Sequence, residues 1–313
     1  MDECIEEYVA LSQKVFDVDL VLKGNVPRGD DRCRFDYNKL ESAIKSLVKG
    51  KLNEENFSLA DSGEITGTVP TFVVATKGRH ADGPATLFRS YQCTGHNVSK
   101  CCIWEAARAT SAGPAFFKPI AISEIPSTVM TYVDGGLSGY NNPAELAIFE
   151  ARKLWAKSHR ICLVSIGAGR PKAVKLIDLN ARPDCGSTKS KIEKMIPNIT
   201  KDGGTPSDSG VEALEKMGLL CLDLVMNSEP AHQRVLKESV STQLQKRFPY
   251  HRFNVEREMQ DIGFEEWNRV EEITSHTTVY LEEWEGMMKK NACVHDLLEP
   301  PNTDCNSPID LSN

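Results

Sequence analysis

The sequence predicts an α/β fold, a sheet of apolar strands layered with helices. Three observations predict it. Apolar, β-branched runs such as "TFVVATK", "STVMTYV" and "ICLVSIG" have the length and composition of strands. Segments of helical period follow them, as in "AELAIFEARKLW". The chain has 313 residues, of which 26% are charged, so it can bury a core and is not generally disordered.

Taken in order, Asp2 to Phe16 reads as a helix. Ile5, Val9 and Phe16, with Cys4, Tyr8, Leu11 and Val15, recur at helical spacing. Leu22 to Gly63 is polar and mixed, with a short helix over Asp36 to Val48. "PTFVVATK" and "ATLFRSY" are two strands joined through the turn "DGPA". "CCIWEAARATSAGP" is a helix stopped by Gly113 and Pro114. "STVMTYV" is a strand ending at Asp134. Beyond it Asn142 can cap a helix, Pro143 suits the first helical position and Glu145 stands at the capping-box position. "ICLVSIG" and "AVKLIDL" are further strands. Val211–Met226, Pro230–Ser239 and Glu266–Met288 are helices. From Lys289 the composition turns to Asn, Pro, Asp and Ser, which divides the chain into residues 1–288 and a poorly ordered tail, 289–313.

The net charge of −7 argues against a nucleic-acid partner, which wants a basic face. The ten cysteines are scattered without a framework spacing and no signal peptide opens the chain. Together these point to reduced thiols and a cytoplasmic location. No stretch approaches a membrane span, so any membrane contact is expected to be peripheral.

"TYVDGGLSGYNNPAE" is the stretch that carries chemistry. Asp-Gly alone is most often a hairpin turn. Here a helix follows instead of a returning strand, and Gly135 and Gly136 let backbone approach a reacting group closely. A carboxylate just past the end of a strand, in a sheet of this class, is where chemistry tends to lie. Asp134 is therefore the candidate general base. No G-x-S-x-G elbow occurs in the chain; Ser111, in "ATSAG", comes near the pattern but falls at the end of a helix. "SIGAGRPKA" lacks the third glycine of a dinucleotide loop. Cys93, His96, Cys101 and Cys102 lack the usual C-x2-C pairing, so no metal is expected there. His276 reads as a partly exposed helix residue and "EEWNRVEE" as a solvated face.

Several segments together resemble the patatin-like phospholipase family, most of all its fungal branch, which occurs with repeat or nucleotide-binding modules. "DECIEEYVALSQKVF" looks like the family's helix just after its nucleophile elbow. "IWEAARATSAGPAFF" is similar to its Ala-x-x-Ala-Thr-Ser-Ala-Ala-Pro signature, with Gly113 where alanine is usual. "YVDGGLSGYNNP" resembles its Asp-Gly-Gly motif and Asn-Asn-Pro sequel, and "CLVSIGAGRP" its Ser-Leu-Gly-Thr-Gly strand end. "TFVVAT" with "LFRSY", and "FNVEREMQDIGFEEW", extend the match to about Trp284.

The resemblance implies a three-layer α/β/α sandwich and a Ser–Asp dyad that cleaves lipid or phospholipid esters without metal or cofactor. Asp134, with Gly135 and Gly136, is the member of that apparatus found here. The family's glycine-rich oxyanion loop and elbow precede the helix with which this chain opens. The expectation is a partial, N-terminally truncated domain lacking its first central strands. A non-catalytic module that binds a lipid surface or a protein partner is the alternative.

Overall fold

Apolar residues spaced along one face draw the first two helices together. The computed structural model describes residues 2–16, 33, 35–79, 83–93, 99–114, 116–125, 128–155, 160–169, 227–241, 248–256, 259, 262–263 and 265–298. Helix α1 (Asp2–Val15) buries Val15, with Phe16 beyond it, while Ile5 and Tyr8 stay exposed. Its predicted apolar face is thus covered only toward its end. Helix α2 (Tyr37–Leu52) runs beyond the expected Val48. Asp36 caps it by accepting the Asn38 N–H at 2.8 Å, and Asn53 ends it in the left-handed region at φ 61°. Leu40, Ala43, Ile44 and Val48 meet Val15, Phe16, Phe35 and Phe117 in one core cluster. Phe16 and Phe35 stand edge to face, with centroids 4.9 Å apart, the arrangement the ring quadrupoles favour.

After the short helix α3 (Leu59–Ser62) comes a four-stranded sheet of β1 (Phe72–Lys77), β2 (Thr86–Arg89), β3 (Ile120–Ile125) and β4 (Thr128–Asp134). Its order is β2-β1-β4-β3, and each neighbouring pair is antiparallel. The paired strands at "TFVVATK" and "ATLFRSY" are those expected. Strand β3 is an element that the sequence reading passed over. It lies between Pro119 and Pro126 at the sheet's edge, where proline is tolerated. Helix α4 (Ile103–Thr110) packs on this sheet through the small residues Ala106 and Ala109, both buried with Phe88, Ile122 and Tyr132 in the second core cluster. Ser111 is its C-cap, as a helix-terminating residue should be.

Helix α5 (Ala144–Leu154) follows Asp134 by way of a 3-10 turn, and β5 (Leu163–Ile166) pairs in parallel with β6 (Tyr250–Phe253) in a separate two-stranded sheet. Helix α6 (Glu229–Ser241) leads toward β6. The fold is α/β, as expected. The assigned helix begins at Ala144, one residue later than expected, yet Asn142 caps it as expected: its Oδ1 accepts the Ala144 N–H at 3.3 Å. Glu145 does not close a capping box, because its carboxylate is taken by Arg234 at 2.9 and 2.8 Å.

The expected helix over Glu266–Met288 is two, α7 (Val270–Glu282) and α8 (Trp284–Leu298), broken where Glu283 turns extended at ψ 149°. Gly286 makes that corner possible: a Cβ there would lie 1.9 Å from the Tyr280 carbonyl oxygen. Helix α8 runs past Lys289, so the expected tail boundary at 288/289 is corrected. Asp296 holds the helix down: its carboxylate accepts from Arg160 at 2.5 Å and bonds His251 at 2.8 Å. "AVKLIDL", the Val211–Met226 helix, His96 and residues 299–313 lie outside the described residues.

Candidate active site

Asp134 is the last residue of β4 and stands opposite Ala75 of β1. Its backbone N–H donates to the Ala112 carbonyl at 3.1 Å, which ties the strand end to the turn after α4. The chain then enters a 3-10 turn, Gly135–Ser138, and leaves it at Gly139 with φ 83°. Asp134 caps this turn: Oδ1 accepts the Gly136 N–H at 2.8 Å. No strand returns, so the hairpin reading of Asp-Gly does not hold here.

Two glycines are fixed by contact. A Cβ on Gly135 would lie 2.8 Å from Val74 Cγ1 and 2.9 Å from the Val74 carbonyl oxygen, so only glycine lets the turn lie against β1. A Cβ on Gly136 would meet Asn141 Oδ1 at 2.6 Å, the movable end of a side chain. The turn after Asp134 therefore lies tightly against β1.

The second carboxylate oxygen, Oδ2, accepts no hydrogen bond among the described residues. It lies 3.7 Å from the place a Cβ on Gly113 would take. Asp134 opens onto a pocket of about 240 Å3 whose walls include Phe72, Val73, Val74, Tyr140 and Pro143. Burial pushes the Asp134 carboxyl above its ordinary range, against the lowering effect of the Gly136 N–H. A half-buried carboxylate with one oxygen held and the other free can accept a proton from a hydroxyl placed in that pocket.

Sequence reasoning missed Thr110, which lines the same pocket as Asp134, and Thr76, which bonds the 3-10 turn after it. Thr110 donates to the Val74 carbonyl at 2.7 Å and lines the pocket, and Thr76 donates to Ser138 Oγ at 3.0 Å. Thr110 directly precedes Ser111, so its place was within reach of the motif. Behind the site runs a polar chain that only the tertiary structure assembles. Arg252 donates to Ser165 Oγ at 2.8 Å, Ser165 donates to Asn142 Oδ1 at 3.1 Å, and the same oxygen takes the Ala144 N–H at 3.3 Å. The start of α5 is thus anchored to β5 and β6. At the far end of α5, the buried Glu150 carboxylate receives Arg89 in two bonds, 2.5 and 2.9 Å, and Tyr91 at 2.8 Å.

A larger cleft of about 700 Å3 lies elsewhere, between α3 and the start of α4. It contains Cys101 and Cys102. Burial, then Glu105, pushes the Cys102 thiol up, so it is no ready thiolate. Among the described residues no group of three His, Cys, Asp or Glu side chains is placed to hold a metal ion. His276 sits partly exposed on α7, 3.7 Å from Glu272.

An α/β fold carrying a desolvated carboxylate at a strand end is compatible with acid–base chemistry, and similarity to known proteins narrows the class. No family model matches the chain. It is similar to calcium-independent phospholipase A2-gamma from mouse, with 28% identity over 223 residues, or 67% of this chain. The human protein of the same name is 28% identical over 206 residues, 64% of this chain. The chain spans about a quarter of the length of these relatives, 27% of the mouse and 24% of the human protein. The relatives are phospholipases by name.

Proposed function

We propose that this chain carries the base-bearing part of a lipid acyl hydrolase of the patatin-like type. Asp134 takes the proton of a serine hydroxyl as that oxygen attacks an ester carbonyl. The observation that carries the reading is the Asp134 carboxylate: half-buried, raised in pKa, with Oδ1 accepting the Gly136 N–H and Oδ2 accepting no hydrogen bond among the described residues, on a residue that lines a pocket with apolar walls. The phospholipase relatives support a lipid ester as substrate. The reaction needs no metal or cofactor, because the dyad and backbone N–H donors supply base, nucleophile and oxyanion stabilisation.

The 313 residues contain no G-x-S-x-G. The reading therefore assigns the nucleophile and its oxyanion loop to residues other than these. It predicts that the chain by itself turns over phospholipid little, if at all. The test fuses an elbow-bearing segment of a patatin-like phospholipase ahead of Met1 and assays release of fatty acid from phosphatidylcholine vesicles. Turnover is expected, with a loss of roughly 10^4 on Asp134→Asn, the scale seen when a triad carboxylate is neutralised. Retained turnover in Asp134→Asn overturns the assignment.

A second reading is a patatin-like module that binds a lipid surface or a protein partner without catalysis. Under it, the fused protein folds and binds vesicles but releases no fatty acid.

A further inference from the structure

A second cavity, of about 270 Å3, lies apart from the Asp134 pocket, and none of its lining residues is shared with it. Helix α6 supplies one side with Glu229 and His232. Helices α7 and α8 supply Tyr280 and Lys289, and β6 supplies Tyr250 and Arg252.

Two cations, Arg252 and Lys289, and two acids, Glu229 and Glu256, line this cavity, and the contacts between them are long. The Arg252 side chain is 7% exposed, yet its guanidinium is bonded by neutral hydroxyls, Ser165 at 2.8 Å and Ser228 at 2.9 Å. Its closest acid, Glu229, stands 4.0 Å away. Its Nε is buried and meets no acceptor among the described residues. Glu229 receives Asn254 on Oε1 at 3.1 Å. Its Oε2 accepts no hydrogen bond among the described residues. Lys289, on the other side, reaches Glu285 at 2.9 Å and Glu256 at 4.0 Å, with its charge 6.0 Å from the Tyr280 ring. An ammonium has three donors, so these contacts leave capacity for an oxyanion. His232 shares a 3.1 Å hydrogen bond with the Tyr250 hydroxyl at the same cavity.

We infer that this cavity is a binding site for a small zwitterion, with the oxyanion drawn to the Lys289 and Arg252 side and the ammonium to Glu229. Lone anions and lone cations each leave one side unmatched, so net neutrality with separated charge is the chemistry that fits. The volume suits a group the size of phosphoethanolamine or a small amino acid. This site goes beyond the proposed hydrolysis and does not depend on it, since neither Asp134 nor its pocket takes part.

The test is calorimetric titration of the purified chain with phosphoethanolamine, with serine as a free amino acid, and with inorganic phosphate and ethanolamine as single-charge controls. One or both zwitterions are expected to bind at least tenfold more tightly than either control. Preference for phosphoethanolamine assigns a phosphate ester, and preference for serine an amino acid. Lys289→Gln and Glu229→Gln, each shown to be folded by an unchanged near-UV spectrum, are each expected to weaken the zwitterion at least tenfold. Equal binding of the controls, absence of binding by all four, or an unchanged affinity in both folded variants overturns the inference.

Discussion

Glu150→Gln is the perturbation that most directly probes how α5, and with it the loop after Asp134, is held. The Glu150 side chain is 3% exposed and the Arg89 side chain 9%. The pair is bidentate, with Tyr91 donating to the same carboxylate. The glutamine is nearly isosteric but leaves the buried Arg89 guanidinium without a counter-charge. Breaking a buried pair from one side costs about 3–5 kcal/mol. Against a total stability of about 5–15 kcal/mol this is a large fraction. With a urea slope of about 2 kcal/mol per molar, the midpoint should fall by about 2 M. The pH dependence gives a second handle. Burial alone would raise the Glu150 pKa, but the Arg89 and Tyr91 hydrogen bonds outweigh it and lower it from 4.5. A depressed carboxylate pKa contributes stability that is present above 4.5 and lost as pH falls through the folded value. The gap between wild type and variant should therefore close in acid. The apolar triple replacement Arg89→Met, Tyr91→Phe, Glu150→Leu should recover most of the loss, because it leaves no group unpaired. Urea titrations at neutral and acidic pH measure all of this. A loss below about 1 kcal/mol, or a gap unchanged in acid, would refute the reasoning.

Two further outcomes follow from the site. Gly135→Ala forces a Cβ to within 2.8 Å of Val74 and should cost about 1–3 kcal/mol in urea unfolding, whereas Gly136→Ala, which meets only the end of Asn141, should cost less. Equal costs would contradict the close approach to β1. Asp134→Asn keeps the Gly136 N–H bond and removes a desolvated charge, so it should raise the thermal midpoint at neutral pH. Because the Asp134 pKa is raised from 3.8, that advantage should fade as pH falls through the elevated value and vanish below 3.8, and an advantage that persists there would contradict the burial of this carboxylate.

Much of the candidate site was legible in the sequence because its signals are local. A β-branched run ends at an acid, two glycines follow, and a helix begins within ten residues or so; period and turn chemistry encode all three. Ser111 was readable as a helix end for the same reason. The misses have particular causes. Strand β3 hides between two prolines and is short, and it shows itself only by pairing with β4. The break at Glu283 interrupts no apolar period, since Tyr280 and Trp284 keep helical spacing across it; Gly286 was its one local sign. Helix α8 continues past Lys289 because Asp296 is held by Arg160 and His251, residues far away in the chain.

The sequence by itself determined most of the strands and helices around the site, and that Asp134 closes a strand in front of two glycines. Those features depend on backbone sterics and on residues a few positions apart. Only the tertiary structure decided that β1 and β4 are antiparallel neighbours, that Gly135 lies against Val74, and that Arg89 and Glu150 meet. It alone decided that the Asp134 carboxylate is desolvated, with Oδ2 accepting no hydrogen bond among the described residues. Pairing partners, burial and the resulting pKa arise from surfaces that are distant in the chain and complementary in space, and hydrophobic period carries no record of which distant surface each will meet.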